Sequence, residues 1–352
     1  MMQDKSPPVR ATLDQGVIDA WQRALADYSR KGGWVYAIAM LLVLVCGRGM
    51  ASEASDDAVR RFQALPSPTS ADLYGIARLG EAAHDAGPAV MRLLDSDDRR
   101  TRATAAFTLG IIHYLPAEPR LVQALRDPLD PWLNSKAAVA LGRLGDPRAL
   151  EALRDISATH WRSSVRVDAT QAIRHIRDRS PYPAMDLDDV LDRGAMGNSL
   201  TECTDDPYEY DRGRPEEVRL AVPGGHLVGF DHGEFGGNLR FDASSGAVDP
   251  ILQKNIIKLT SLGTRTIALT GLMHMGIAEG AVYDVSRDAA GHWQATLWRG
   301  LDGPPTWSEK DKAGNLHIGL PTYTVLLSVD GTMKELGCET PASVAASRKQ
   351  GN

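Results

Sequence analysis

The sequence predicts a two-domain α+β protein, in which an N-terminal α-solenoid of helical hairpins is followed by an antiparallel all-β domain. Two observations predict this fold. Between about Ser70 and Asp178 a helical pattern recurs with a period near 30 residues. Beyond Val218 the pattern changes to about ten short β segments, which are separated by turns rich in glycine and aspartate. At 352 residues the chain is long enough for both domains to bury a core.

Each predicted hairpin has a short first helix and an alanine-rich second helix. Proline fits the first position of a helix because its missing N–H would be unpaired there. Prolines begin the first helices, and a leucine follows each by six residues: Pro88 and Leu94, Pro119 and Leu125, Pro147 and Leu153. The second helices carry a bulky residue every 30 to 32 positions: Leu79, Leu109, Leu141 and Ile173. Since one hairpin cannot bury its apolar stripe alone, the pattern predicts stacked neighbours over residues 66–178.

The run DPRALEALRD at 146–155 resembles the short HEAT-like repeats first named from phycobilin lyases. This resemblance covers about 110 residues and implies an array that presents an extended surface to another protein. It does not imply lyase activity, because no chromophore motif or catalytic residue accompanies the repeats.

Residues 1–52 form an N-terminal segment with a targeting signal. Arg30 and Lys31 precede an uninterrupted apolar run from Trp34 to Cys46, and small residues follow it. This order is typical of a secretory signal, and the run is shorter than the ~18–20 residues that span a bilayer. We therefore expect an exported protein that is periplasmic or anchored by residues 34–47, with no other contact with the membrane. Three explanations fit this N-terminal segment: the signal is cleaved, it is retained as an anchor, or translation starts at a later codon.

Two cysteines remain outside this segment, Cys203 and Cys338. In an oxidising compartment an even pair predicts a disulfide, here one that joins the two ends of the β domain. Closing so long a loop would stabilise the fold by about 4–5 kcal/mol in the chain-entropy model. Two unrelated thiols are the alternative.

A linker at 179–216, rich in proline, glycine and aspartate, separates the helical region from a β domain at 217–340 and a flexible tail at 341–352. The β domain contains a weaker repeat with a spacing of about 40–45 residues, at 241–246, 283–291 and 327–331. Each copy resembles the outer hairpin of a β-propeller blade. Because three units are fewer than the roughly four to eight blades of a closed propeller, an incomplete propeller-like stack, a sandwich and closure between chains remain open.

The charge balance excludes a nucleic-acid partner. The formal net charge is −6, whereas a phosphate-binding domain carries a clustered basic excess. The nearest basic group, Arg99, Arg100 and Arg102, directly follows Asp95, Asp97 and Asp98. This arrangement predicts a solvated loop and a helix start.

Standard catalytic and zinc signatures are absent from the sequence. The weak candidates for acid–base chemistry are His232, Glu234 and His274, and those for a metal are Asp231, His232 and Glu234. A tight turn explains the residues at 231–234 equally well. The candidate binding residues are Trp132, Trp161, Trp293 and Trp298, since tryptophan is enriched at interfaces, although core packing is the alternative.

The sequence therefore favours a non-catalytic protein-interaction scaffold of the cell envelope or periplasm, with no cofactor. Two other functions fit the same residues. One is a metal-assisted hydrolase or lyase with its site around residues 231–234 and His274. The other is an immunity-type protein that neutralises a specific enzyme.

Overall fold

The computed structural model describes residues 53–180, 182, 203, 216–274 and 277–349. The chain divides into two compact units, residues 1–61 and 62–352. In the first unit, residues 53–61 are helical, and Asp57 pairs with Arg60 and Arg61. The predicted signal or anchor segment at 34–47 lies outside the described residues. None of the described helices combines the length and apolar character needed to cross a membrane.

The second unit begins with a helical region. Its helices are α1 Ser70–Arg78, α2 Gly87–Arg92, α3 Arg99–Ile111, α4 Glu118–Leu125, α5 Pro131–Leu144, α6 Leu150–Thr159 and α7 Ser163–Asp178. The short helices α2, α4 and α6 each pack on the longer helix that follows them, and α3, α5 and α7 pack side by side. Small residues permit this close approach, since a Cβ added at Gly110 on α3 would lie 2.6 Å from the Ala140 Cα on α5.

Helix starts follow the chemistry that the sequence predicts. Pro88 and Pro119 lie in the first turns of α2 and α4, and Pro147 begins a short 3₁₀ turn that leads into α6. Asp98 caps α3 by accepting the Thr101 backbone N–H at 2.8 Å. Such a cap satisfies one of the donors that a helix leaves unpaired at its N-terminus.

In the part of the β region that the structure describes, there are three antiparallel sheets, each built from four consecutive strands. The first contains β1 Glu217–Val222, β2 Gly225–Phe230, β3 Leu239–Ala243 and β4 Val248–Leu252. The second contains β5 Ile256–Leu262, β6 Arg265–His274, β7 Ile277–Arg287 and β8 Trp293–Leu301. The third contains β9 Trp307–Lys310, β10 Leu316–Gly319, β11 Thr324–Leu327 and β12 Met333–Leu336. The prediction of a helical region followed by antiparallel β structure is confirmed. The sheets do not close into a propeller.

The same turn joins the third and fourth strands of every sheet. Its glycine is Gly246, Gly291 or Gly331, with φ of 92°, 89° and 91°, a conformation that residues with a Cβ rarely adopt. Each glycine donates its N–H to the carbonyl three residues earlier, at 2.9, 3.0 and 2.9 Å. The 40–45-residue repeat in the sequence therefore marks one topological position in three successive sheets.

Two apolar clusters connect the sheets. One joins the first and second sheets through residues such as Leu227, Phe241 and Ile256. The other joins the second and third through residues such as Ile267 and Val325, and Trp161 of the helical region packs against it. The helical and β regions thus share part of a core.

The end of the β region is held by a disulfide and a short helix. Cys203 and Cys338 are bonded, with their Cα atoms 5.2 Å apart, and the Cys203 N–H donates to the Pro321 carbonyl at 2.8 Å. Residues 341–349, expected within a flexible tail, form helix α8 Pro341–Lys349. Thr340 and Ser343 exchange hydrogen bonds at its start, and Val344 is buried, which explains the order there.

Candidate binding cleft between the helical and β regions

Arg162, directly before α7, is the centre of the contact between the helical and β regions. Its Nε donates to Asp302 at 2.8 Å and its Nη1 to Glu335 at 2.9 Å. Its guanidinium lies 3.9 Å from the centre of the Tyr323 ring. Burial alone would lower the pKa of Arg162, but Asp302, Tyr323 and Glu335 raise it overall. The arginine is therefore a permanent cation between two carboxylates.

Other groups complete this network. The Tyr323 hydroxyl donates to Asp302, and burial raises the pKa of that tyrosine well above its usual value, so it remains a donor. The Ser163 hydroxyl donates to Glu335 at 2.7 Å. Every charge in the network thus has a partner, which is what a mostly buried ion pair requires.

A second connection lies at the start of α3. Arg99 donates from Nε to Asp130 at 2.8 Å and from Nη1 to the Leu301 carbonyl at 2.7 Å, and Arg102 also pairs with Asp130. The basic group of Arg99, Arg100 and Arg102 is therefore not only the solvated loop and helix start that the sequence predicts. Arg99 joins α3, the start of α5 and the last strand of the second sheet.

Beside these contacts lies a cleft of about 280 Å³. Its apolar lining comes from both regions and includes Leu125, Ile156, Trp161 and Met333, and its rim carries Arg126, Asp127, Thr159, His160, Arg299 and Thr332. The volume of the cleft lies just below the roughly 300–1,000 Å³ of drug-sized ligand sites. It suits one or two side chains of a protein partner better than a cofactor.

A chain of hydrogen bonds fixes the wall of this cleft. The Asn134 amide donates to the Ala124 carbonyl at 2.8 Å and to the Asp127 carbonyl at 3.0 Å. His160 Nε2 lies 3.0 Å from the Asn134 Oδ1, and His160 Nδ1 accepts the Arg162 N–H at 3.1 Å. Burial lowers the pKa of His160, so the imidazole is neutral and its proton lies on Nε2. The wall is preorganised by groups that are already satisfied.

The rim of the cleft has an excess of positive charge. Arg126 is exposed. Arg299 donates from Nε to the Gly331 carbonyl at 3.1 Å and from Nη1 to the carbonyl of its neighbour Trp298 at 2.7 Å. Asp127 is the only carboxylate among the lining residues, and it accepts the Leu129 N–H at 2.8 Å. An apolar floor under two guanidinium groups suits an apolar side chain that has a carboxylate beside it.

The structure brings together only part of the predicted polar site. Glu234 and His274 are in contact, with their Oε2 and Nε2 atoms 3.1 Å apart. Asp231 accepts the Gly233 N–H at 3.0 Å, as a turn-forming aspartate does, and His232 lies against Phe230. Within the described part of the chain, no group of three or more His, Cys, Asp or Glu side chains is placed to hold a metal ion.

We expect the Glu234–His274 pair to be structural and weak, because both side chains are substantially exposed. The double substitution His232→Ala, His274→Ala should change the free energy of unfolding by less than about 1 kcal/mol. Denaturant titration measures this, and elemental analysis of both proteins measures bound metal. Stoichiometric metal in the wild type that is lost from the double variant would contradict a structural role.

The four candidate tryptophans occupy different surroundings. Trp161 lines the cleft, and its ring centre lies 6.4 Å from that of Tyr323. The guanidinium groups of Arg265 and Arg299 each lie 4.8 Å from the centre of the Trp298 ring. Trp293 packs on Phe241 in the core between the first two sheets, and Trp132 is half-buried on α5. Trp161 is thus the candidate that combines a cleft position with contact to both regions.

Sequence reasoning missed Arg162, Asp302, Tyr323 and Glu335. Arg162 and Asp302 are 140 residues apart, and each occupies an ordinary turn in the sequence. The one sequence feature that pointed to this network was Trp161, an aromatic residue that lies beside Arg162 in a turn between helices.

Residues 87–174 match the family model for HEAT repeats. The matched segment contains α2 to α6 and most of α7, including the helical side of the cleft. Among curated proteins, none matches this chain. Among solved structures, the chain is similar to human deoxyhypusine hydroxylase in complex with glycerol, at 24% identity and a TM-score of 0.30. That alignment covers 40% of this chain and about half of the hydroxylase, 50% of its length.

Proposed function

We propose that the protein is a non-catalytic interaction scaffold that binds a partner protein through the cleft between its helical and β regions. The observation that carries the proposal is the cleft itself, whose two sides come from the segment that matches HEAT repeats and from the second and third sheets. HEAT repeats present extended surfaces to other proteins. The Arg162 network supports the proposal, because it joins the two sides of the cleft through Asp302 and Glu335.

We further propose that the partner contributes an apolar side chain next to a carboxylate. Trp161 and Met333 would receive the apolar group, and Arg126 would attract the carboxylate. Tryptophan and arginine are the residue types that most often dominate interface energies.

The finer architecture is also a proposal. The pairing of short and long helices supports a HEAT-like solenoid of the type first named from phycobilin lyases. The three four-stranded sheets and their common turn support a stack of three blade-like units. In such an arrangement the solenoid would have few repeats, and the β units would cover the start of its last helix, α7, and the turns between its helices.

We place this scaffold in the cell envelope, exported or anchored by residues 34–47. The apolar run behind Arg30 and Lys31 supports this location, and the Cys203–Cys338 disulfide is consistent with an oxidising compartment. The hydrolase and immunity alternatives lack a comparable observation.

Substitution of Arg126 by glutamate tests the cleft. The side chain is exposed, so the fold should survive, while a partner carboxylate would meet a like charge. We expect partner affinity to fall about tenfold, or about 1.4 kcal/mol. A photo-crosslinking amino acid at position 126 would first capture the partner from envelope fractions, and titration of the purified pair would then measure the affinity.

Arg154→Glu is the matched control, since Arg154 is also exposed but lies on α6 outside the cleft lining. The control should bind like the wild type. Equal loss in both variants would indicate a general charge effect, and no loss in Arg126→Glu would remove the cleft from the interface.

A further inference from the structure

A second group of side chains in the helical region has buried donors that lack acceptors. It consists of Phe107 on α3, Lys136 and Arg143 on α5, Asp168 on α7, and Tyr182. Arg143 Nε, Arg143 Nη2 and the Tyr182 hydroxyl are all inaccessible to solvent and have no hydrogen-bond partner among the residues that the structure describes. Buried polar groups are nearly always paired, so three such atoms in one place indicate an absent acceptor.

The aromatic rings hold these donors in one place. The Arg143 guanidinium lies 5.0 Å from the centre of the Tyr182 ring and 5.9 Å from that of Phe107. Lys136 Nζ lies 5.8 Å from the same Phe107 ring. A Cβ at Gly142 would lie 2.6 Å from the Tyr182 ring, so this glycine makes the room that the tyrosine occupies.

Charge at this place is positive and only partly balanced. Asp168 accepts the Ser135 hydroxyl and interacts with Lys136, and burial raises the pKa of this carboxyl. Arg143 forms no salt bridge with any carboxylate that the structure describes. Burial raises the pKa of Tyr182 to about 12, so its hydroxyl is a donor at neutral pH.

We propose that Arg143 and Tyr182 form a binding site for the carboxylate of an acidic side chain of a partner protein. Nε and Nη2 lie on one edge of the guanidinium, and that edge matches the two oxygens of a carboxylate. The Tyr182 hydroxyl supplies a third donor. The Phe107 and Tyr182 ring centres lie 5.9 and 5.0 Å from the guanidinium carbon.

A carboxylate fits better than a phosphate. A phosphate carries up to two charges and three or more acceptor oxygens, whereas the second cation here, Lys136, already interacts with Asp168. Of the five side chains only Phe107 is fully buried, so the site lies close to the protein surface, although a partner side chain must displace the cover of the three donor atoms to reach them. It is separate from the cleft and does not rest on the function proposed for that cleft.

The test follows the Arg143 Nε–H signal by NMR in the full chain with ¹⁵N-labelled arginine. Its absence from Arg143→Lys assigns the signal. Propionate, which reproduces the end of a glutamate side chain, should shift it saturably in the millimolar range, as expected for so small a ligand. Propionamide, the neutral isostere, should not shift it, and inorganic phosphate should bind more weakly than propionate.

Tyr182→Phe removes only the third donor and should weaken propionate binding about 2- to 10-fold. Arg174→Lys, an exposed arginine on α7, is the control and should leave binding unchanged. The proposal is overturned if propionate produces no saturable shift, if propionamide shifts the signal equally, or if phosphate binds more tightly. An unchanged affinity in Tyr182→Phe would overturn the part assigned to the tyrosine.

Discussion

Substitution of Arg162 by methionine should destabilise the protein by about 3 kcal/mol, among the largest effects expected of a single change in this chain. The arginine is 17% exposed, and Asp302 and Glu335 are 23% and 18% exposed. Removing the cation leaves two mostly buried carboxylates, of which Glu335 keeps the Ser163 donors and Asp302 keeps the Tyr323 hydroxyl. Urea denaturation followed by tryptophan fluorescence measures the change.

Two further variants show whether unpaired charge is the cause. Arg120→Ala breaks an exposed ion pair with Asp95 and should have little effect. The triple variant Arg162→Met, Asp302→Asn, Glu335→Gln leaves no unpaired charge and should recover much of the lost stability. A single Arg162 variant as stable as Arg120→Ala would show that the network contributes little to the joining of the two regions.

The parts of the fold that the sequence predicts are those set by local chemistry. Pro119 and Asp98 specify helix starts because a missing N–H and a capping carboxylate act within one turn. Gly291 and Gly331 specify turns because a positive φ excludes most other residues. Each of these signals acts within a few residues and does not depend on contacts with the rest of the chain.

Two strands escaped prediction, and both lie at sheet edges. β4 contains Pro250, which cannot donate to a ladder but is tolerated in an edge strand. β9 follows Pro304 and Pro305 and is half-buried along its whole length, so it shows no alternation. Edge strands are specified by the neighbour on which they pair more than by their own sequence.

The candidate sites were the least predictable part. The cleft depends on Trp161 meeting Met333, and the carboxylate site depends on Tyr182 meeting Arg143. Such pairs are distant in sequence, and neither member has a local pattern that marks it. By contrast, residues 231–234 form a marked polar cluster in the sequence, but of the candidate site residues only Glu234 and His274 form a close polar contact in the structure.

Loss of the disulfide between Cys203 and Cys338 should have a similar or larger effect than loss of Arg162. The two cysteines are 135 residues apart, and closing a loop of that length lowers the entropy of the unfolded chain. In the chain-entropy model the bond stabilises the fold by about 4–5 kcal/mol. We expect the double variant Cys203→Ser, Cys338→Ser to unfold at a correspondingly lower urea concentration, as measured on purified protein.

Reductant provides the matched comparison, because it breaks the same bond without changing the sequence. It should shift the unfolding midpoint of the wild type to that of the double variant and leave the double variant unchanged, since Cys46 is then the only cysteine. An identical midpoint for oxidised and reduced wild type would contradict the prediction. The expected loss exceeds that of any exposed ion pair because the bond acts on the whole unfolded β region, whereas an ion pair acts only where its two charges meet.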